Sequence, residues 1–277
     1  MHASPELLLI LYCAAIAGAS LLGGYLPSRV RLTHTGTQLV MSLVAGLMLG
    51  VAIYHLLPHS IAMHGGPGAT DFAVWWLMLG LTGMLLLLRL FQFHEHDFSA
   101  EHGEQHDHPP HGAEGHVHGL SWLGIGLGLG VHTLIDGVAL GAVMYGSGHE
   151  QGLAGAGVFL AILLHKPLDA MSIVTLMRAG GWSARARHTA NLLFALLCPL
   201  GALLFFYGMD GFAQGAAAVA AALAFSAGAF ICIALSDLLP EVHFHSHDRV
   251  KLTFALLLGI ALAYGIGVLE PAGIHQG

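Results

Sequence analysis

Two pairs of residues in this chain combine an imidazole with a carboxylate at helical spacing: His132 with Asp136, and His165 with Asp169. Residues four apart lie on one face of a helix, so each pair presents a nitrogen and an oxygen side by side. Together they offer two nitrogen and two oxygen donors, and two negative charges to balance a divalent cation. That donor set suits Zn2+ first, with Cd2+, Fe2+, Mn2+ and Co2+ as alternatives; it argues against Ca2+ and Mg2+, which take oxygen ligands. Either pair alone reads as readily as a His–Asp hydrogen bond that needs no metal. Two matched pairs at one depth favour the ion. His132 falls about 14 residues before Gly146 and His165 about 13 after Gly152, so at roughly 1.5 Å per residue they meet at one level.

The elements that carry these pairs have to cross a membrane. Hydrophobic residues make up 56% of the 277 and charged residues 9%, with a mean hydropathy of +0.73, against about 25% charged in a soluble chain. A crossing takes about 20 apolar residues, and such runs fall near 6–26, 38–63, 72–93, 119–146, 152–179, 187–208, 213–240 and 250–270. The expected fold is an all-α integral membrane protein of eight transmembrane helices. Residues 13–17 resemble a signal cleavage site, but no basic residue precedes the apolar run, so the first helix is expected to be retained. Both His–Asp pairs then lie in spans four and five, where ionisable groups are costly and mark function. Gly124, Gly126, Gly128 and Gly130 open span four with no strand before them, so they read as close-packing positions and not as a nucleotide loop. No organic cofactor is implied.

Positive charges set the orientation. Arg29, Arg31, Arg89, Arg178, Arg185, Arg187, Arg249 and Lys251 all fall in alternate connections, which makes that side cytoplasmic and puts the N- and C-termini on the periplasmic or extracellular side. The ninth cation, Lys166, lies inside span five. A net charge of -7 with no basic cluster excludes nucleic acid as a partner. Cys13, Cys198 and Cys232 sit in apolar runs without CxxC spacing, which excludes a disulfide framework and a cysteine zinc knuckle.

The connection 94–118 carries His94, His96, His102, His106, His108, His111, His116 and His118 among acidic residues, Gly and Pro. It lacks apolar periodicity and reads as a His-rich cytoplasmic loop that binds metal weakly near the exit. The chain thus divides into spans one to three (1–93), the loop (94–118), the metal-site spans four and five (119–179) and spans six to eight (180–277). His55-Leu-Leu-Pro-His59 in span two and Asp237-Leu-Leu-Pro-Glu241 in span seven share one pattern in helices of opposite direction. An inverted repeat of spans one to three and six to eight around four and five would leave that trace. His55, His59, Asp237, Glu241 and His243 are expected to line the metal's path. Pro167, two residues after His165, removes a backbone donor and is expected to interrupt span five beside the site.

In order along the chain, His55-Leu-Leu-Pro, the His-rich loop, His132-Thr-Leu-Ile-Asp136-Gly137, His165-Lys-Pro-Leu-Asp169 and Ser236-Asp237-Leu-Leu-Pro-Glu241 resemble the ZIP (Zrt/Irt-like) family of divalent metal transporters. The resemblance covers nearly the whole chain. It implies a mid-membrane metal site, flux toward the cytoplasm, a homodimer, and spans one, four, five and six moving as a unit against two, three, seven and eight. The chain departs from the family's paired-metal centre at three positions. Where that centre has Asn after the span-four His, an acidic residue after the first span-five ligand and Glu before the span-six Pro, this chain has Thr133, Lys166 and Cys198. The expectation is a mononuclear site, with Lys166 supplying a fixed positive charge in place of a second cation.

Two rival readings are an intramembrane zinc hydrolase and a membrane metal sensor. The first needs an open coordination position and a separate general base, and the sequence offers no clear base. The lack of a targeting segment or large extracellular domain suggests a bacterial inner membrane.

Overall fold

Lipid offers the backbone no hydrogen-bond partners, so apolar runs of this length close their bonds internally as helices. The computed structural model describes residues 4–25, 34–91, 118–147, 155–209, 215–244 and 249–269, with backbone alone for 34, 91, 118–125, 237–244 and 269. It contains eight helices long and apolar enough to cross a membrane, and no strand among the described residues. They are α1 (Pro5–Tyr25), α2, α3 (Ala69–Phe91), α4 (His118–Gly146), α5 (Ala156–Ala179), α6 (Ala184–Gly208), α7 (Gly215–Phe244) and α8 (Arg249–Leu269). The second, α2, joins His34–Val51 to Leu57–His64 through a π-helical turn at Ala52–Leu56. The chain is an integral membrane protein of the expected class.

Two local expectations change. Pro167 does not interrupt α5, which runs helical through it from Ala156 to Ala179. The irregular turn lies instead in α2, just before Pro58, which has no N–H to give the Tyr54 carbonyl. There the Leu57 N–H reaches back to the Ala52 carbonyl, so one extra residue is taken into the turn that holds His55.

The helices pack as two sets. In one, α4 packs closely on α6, and α1 on both α5 and α6; in the other, α2 packs on α8, α3 on α7, and α2 on α7. Between the sets the contacts are thinner and fall chiefly to α4 with α7 and α2 with α5. The membrane-spanning part of α4 is mostly buried and that of α3 mostly exposed, so α4 lies at the centre and α3 at the rim.

The closest crossings rest on glycine, and they repeat. Gly46 of α2 meets the Leu256 carbonyl of α8 while Gly259 of α8 meets the Leu43 carbonyl of α2. In the other half, Gly228 of α7 meets the Leu77 carbonyl of α3 while Gly80 of α3 meets the Phe225 carbonyl of α7. The same displacement along the chain carries Leu43 to Phe225, Gly46 to Gly228 and His55 to Asp237. A third crossing extends the relation to the centre: Gly201 of α6 lies over the Leu134 carbonyl, two residues past His132, and Gly23 of α1 lies over the Pro167 backbone, two residues past His165. Corresponding glycine crossings thus reach α4 and α5 as well as the outer helices.

A methyl group at these glycines would strike a carbonyl of the neighbouring helix, and in close-packed interiors such overpacking costs about 1–3 kcal/mol. Gly46→Ala and Gly228→Ala should each lower the thermal midpoint in detergent to a similar extent. Gly18→Ala, with open space around it, should leave it unchanged; equal behaviour of all three would contradict the crossing geometry.

Candidate metal centre

α4 and α5 are consecutive spans and run in opposite directions, so their i,i+4 pairs face one another. Ligand atoms of His132, Asp136, His165 and Asp169 all lie within 4.8 Å of one another, a cluster that could hold a metal ion. One oxygen of each carboxylate does the bridging. Asp136 Oδ2 is 3.4 Å from His132 Nε2 and 3.2 Å from His165 Nε2; Asp169 Oδ2 is 3.7 and 3.8 Å from the same two nitrogens. A tetrahedral ion bound at about 2.1 Å sets its ligands about 3.4 Å apart, so the four separations match the edges of such a polyhedron.

The His165 ring is fixed by its surroundings. His165 Nδ1 donates to the Ala161 carbonyl at 2.8 Å, one turn back, and the edge of Phe230 on α7 meets the ring. A carbonyl only accepts, so the proton of the neutral ring is on Nδ1 and Nε2 turns a lone pair toward the carboxylates. His132 makes no hydrogen bond to the protein through either nitrogen, nor does Asp136 through Oδ1, although all are buried. Lone pairs of imidazole and carboxylate converge here, and converging lone pairs repel one another. A cation at the centre turns that repulsion into coordination, and unpaired buried polar atoms are otherwise costly.

One cation is part of the chain. Lys166, 1% exposed, sends its ammonium into the cluster. Nζ donates to Asp169 Oδ2 at 3.0 Å, to Thr133 Oγ1 at 3.1 Å and to Asp136 Oδ2, and stands 3.4 Å from His165 Nε2. The Phe194 ring of α6 covers it from 5.6 Å. Spacing alone allowed contact with either carboxylate; the ammonium touches both. Because it uses the oxygens nearest the imidazoles, it shares ligands with any ion held there.

Of the remaining expected residues, Thr133 is at the site as lysine's partner, and Cys198 is buried on α6 with its backbone carbonyl against Gly137. His55 is buried in the π turn, where Nε2 lies 2.8 Å from the Ala263 carbonyl of α8 and the ring packs on Gly157 of α5. His59 Nδ1 caps the His55 carbonyl at 2.8 Å. His55 thus bridges the two helix sets. Asp237, Glu241 and His243 lie on the last turns of α7, but their side chains are outside the described residues. His94, His96, His102, His106, His108, His111 and His116 also lie outside them, as does the side chain of His118. Sequence reasoning missed Phe194, Phe230 and the Ala161 carbonyl. The last could have been found, since a helical histidine commonly reaches its i−4 carbonyl; the two phenylalanines are tertiary neighbours with no spacing signal.

Asp136 is fully buried and central to both imidazoles, whereas Asp169 is 17% exposed. Removing one partner of a buried charged cluster costs about 3 kcal/mol or more. Asp136→Asn should therefore weaken zinc binding by about a hundredfold in calorimetric titration of the purified protein, and Asp169→Asn by less. Equal losses would deny Asp136 its central position.

The sequence matches the ZIP zinc transporter family over residues 91–267. No curated protein matches it. Since the matched segment is more than half of its length, the chain belongs to the ZIP family and is accordingly a divalent-metal transporter and not an enzyme.

Proposed function

We propose that the chain carries zinc into the cytoplasm through a mononuclear site made by His132, Asp136, His165 and Asp169, with alternating access by an elevator-type shift of α1, α4, α5 and α6 against α2, α3, α7 and α8. The observation that carries this reading is the convergence of four ligand atoms, three of them on buried residues, at separations fitting one tetrahedral ion. Two nitrogen and two oxygen donors favour zinc over the hard cations. The single-ion reading draws on Lys166, whose ammonium holds Thr133 and both carboxylates where a second ion would need them. The moving-body reading draws on the packing. The densest contacts fall within the sets, between α4 and α6, α1 and α5, α2 and α8, and α3 and α7, and glycine crossings occur in both sets. Arg89, Arg178, Arg185, Arg187, Arg249 and Lys251 flank helix ends on one side, which supports a cytoplasmic face there and periplasmic termini in a bacterial inner membrane. A homodimer follows the family resemblance. The His-rich loop and the α7 residues Asp237, Glu241 and His243 are assigned to the exit side, as accessory and pathway groups.

The test is zinc and cadmium uptake into proteoliposomes, wild type beside a variant with His132, Asp136, His165 and Asp169 all changed to Ala. Uptake should be present in the wild type and lost in the variant; uptake that survives would move the site elsewhere. Metal titration should further give one tightly bound zinc per chain. A crystal grown in excess zinc with two ions about 4 Å apart between α4 and α5 would overturn the mononuclear assignment.

A further inference from the structure

Lys166 has a consequence for the transport cycle beyond the number of ions held. A carrier must cross the membrane twice in each cycle, once with its cargo and once without. Burying net charge in a low-dielectric interior costs roughly the square of that charge. With both imidazoles neutral, Asp136 and Asp169 alone would carry a charge of -2 without cargo and none with a divalent ion. The Lys166 ammonium, bonded to both carboxylates, changes these totals to -1 and +1. The form without cargo then costs about a quarter of what it would cost without the lysine, and the two forms stand level.

We infer that Lys166 is a resident counter-cation that speeds the return of the cargo-free carrier, at the expense of tight metal binding. This rests on the alternating-access reading above. The geometry suits the role. The ammonium reaches the same Oδ2 atoms that face the imidazoles, so it can hold them when no ion does, and yield part of that hold when an ion arrives without leaving the cluster. Thr133 Oγ1 and the Phe194 ring give it partners that are not metal ligands, and these keep it in place while the oxygens are shared. Lys166 is thus a positioning charge and makes no bond to the cargo.

The role separates two rates that a structural lysine would move together. Net zinc uptake into zinc-free proteoliposomes requires the cargo-free return. Exchange of labelled external zinc for unlabelled internal zinc does not, because the carrier can cross loaded in both directions. Lys166→Met should lower net uptake about tenfold relative to exchange, a modest rise in one barrier, while zinc affinity increases. Lys166→Arg, which keeps the charge, should hold the wild-type ratio. An unchanged ratio in Lys166→Met, or loss of both rates in a variant that still binds zinc, would overturn the inference. If Lys166→Met does not fold, the wild type decides. Its net uptake should keep pace with its exchange, and exchange about tenfold faster would mean that the return is slow even with the ammonium present. A wild type that takes up zinc yet shows no exchange would instead overturn the carrier reading, and this inference with it.

Discussion

Two carboxylates at the middle of a membrane-spanning bundle cannot stand without positive charge close by. Asp136 is fully buried, and Asp169 is partly buried at 17% exposure. Ionised groups in such a place persist only when paired. Everything around them serves that pairing. Imidazole nitrogens offer lone pairs but no fixed charge, so balance has to come from Lys166 and from the ion. The site tolerates its own burial because one compensating cation is built in, and that single cation leaves one of the two carboxylate charges unbalanced, which would favour a metal ion there.

Holding such a cluster also requires that the helices bearing it be placed closely. A carboxylate displaced by an ångström would lose the separations of 3.2–3.8 Å that suit one ion. The crossings that fix α4 and α5 occur at the same level as the ligands: Gly201 against Leu134, Gly137 against Cys198, and Gly23 against Pro167. Each lets backbone lie on backbone, where few rotamers remain to shift. Pro167 has no N–H to give the Leu163 carbonyl, yet α5 stays helical through it, and α1 lays Gly23 directly on the Pro167 backbone. The thin contacts are elsewhere, between α4 and α7 and between α2 and α5, and at the second of these the buried His55 ring lies on Gly157. The closest approaches thus tie α4 to α6 and α5 to α1 at the level of the ligand cluster.

Much of this was legible in the residues. Eight spans followed from run length alone, since lipid thickness sets a minimum that soluble helices seldom meet. The meeting of His132, Asp136, His165 and Asp169 in one cluster followed from i,i+4 spacing and equal depth. The ZIP resemblance came from the order of five short motifs. The π turn was hidden because Pro58 admits both a kink and an extra residue in the turn, and the choice depends on what packs there. Phe194 and Phe230 were hidden because a lone aromatic in an apolar run carries no label for its neighbour. The full extent of the repeat was hidden as well. Glycine crossings pair residues distant in sequence, and only the contacts reveal that Leu134 and Pro167 are equivalent.

That equivalence sharpens the meaning of Lys166. The displacement that carries His132 to His165 and Asp136 to Asp169 also carries Thr133 to Lys166. At the ligand positions the two helices agree, and at the position between them they differ. The difference is required by charge. Threonine on both helices would leave the two carboxylates uncompensated, while lysine on both would bring two ammonium groups against them and remove the attraction for a divalent ion. One of each leaves a single negative charge, enough to draw in a cation and small enough to remain buried. Thr133 then gives the ammonium its neutral partner, 3.1 Å away, so the two equivalent positions meet across the site that their asymmetry defines.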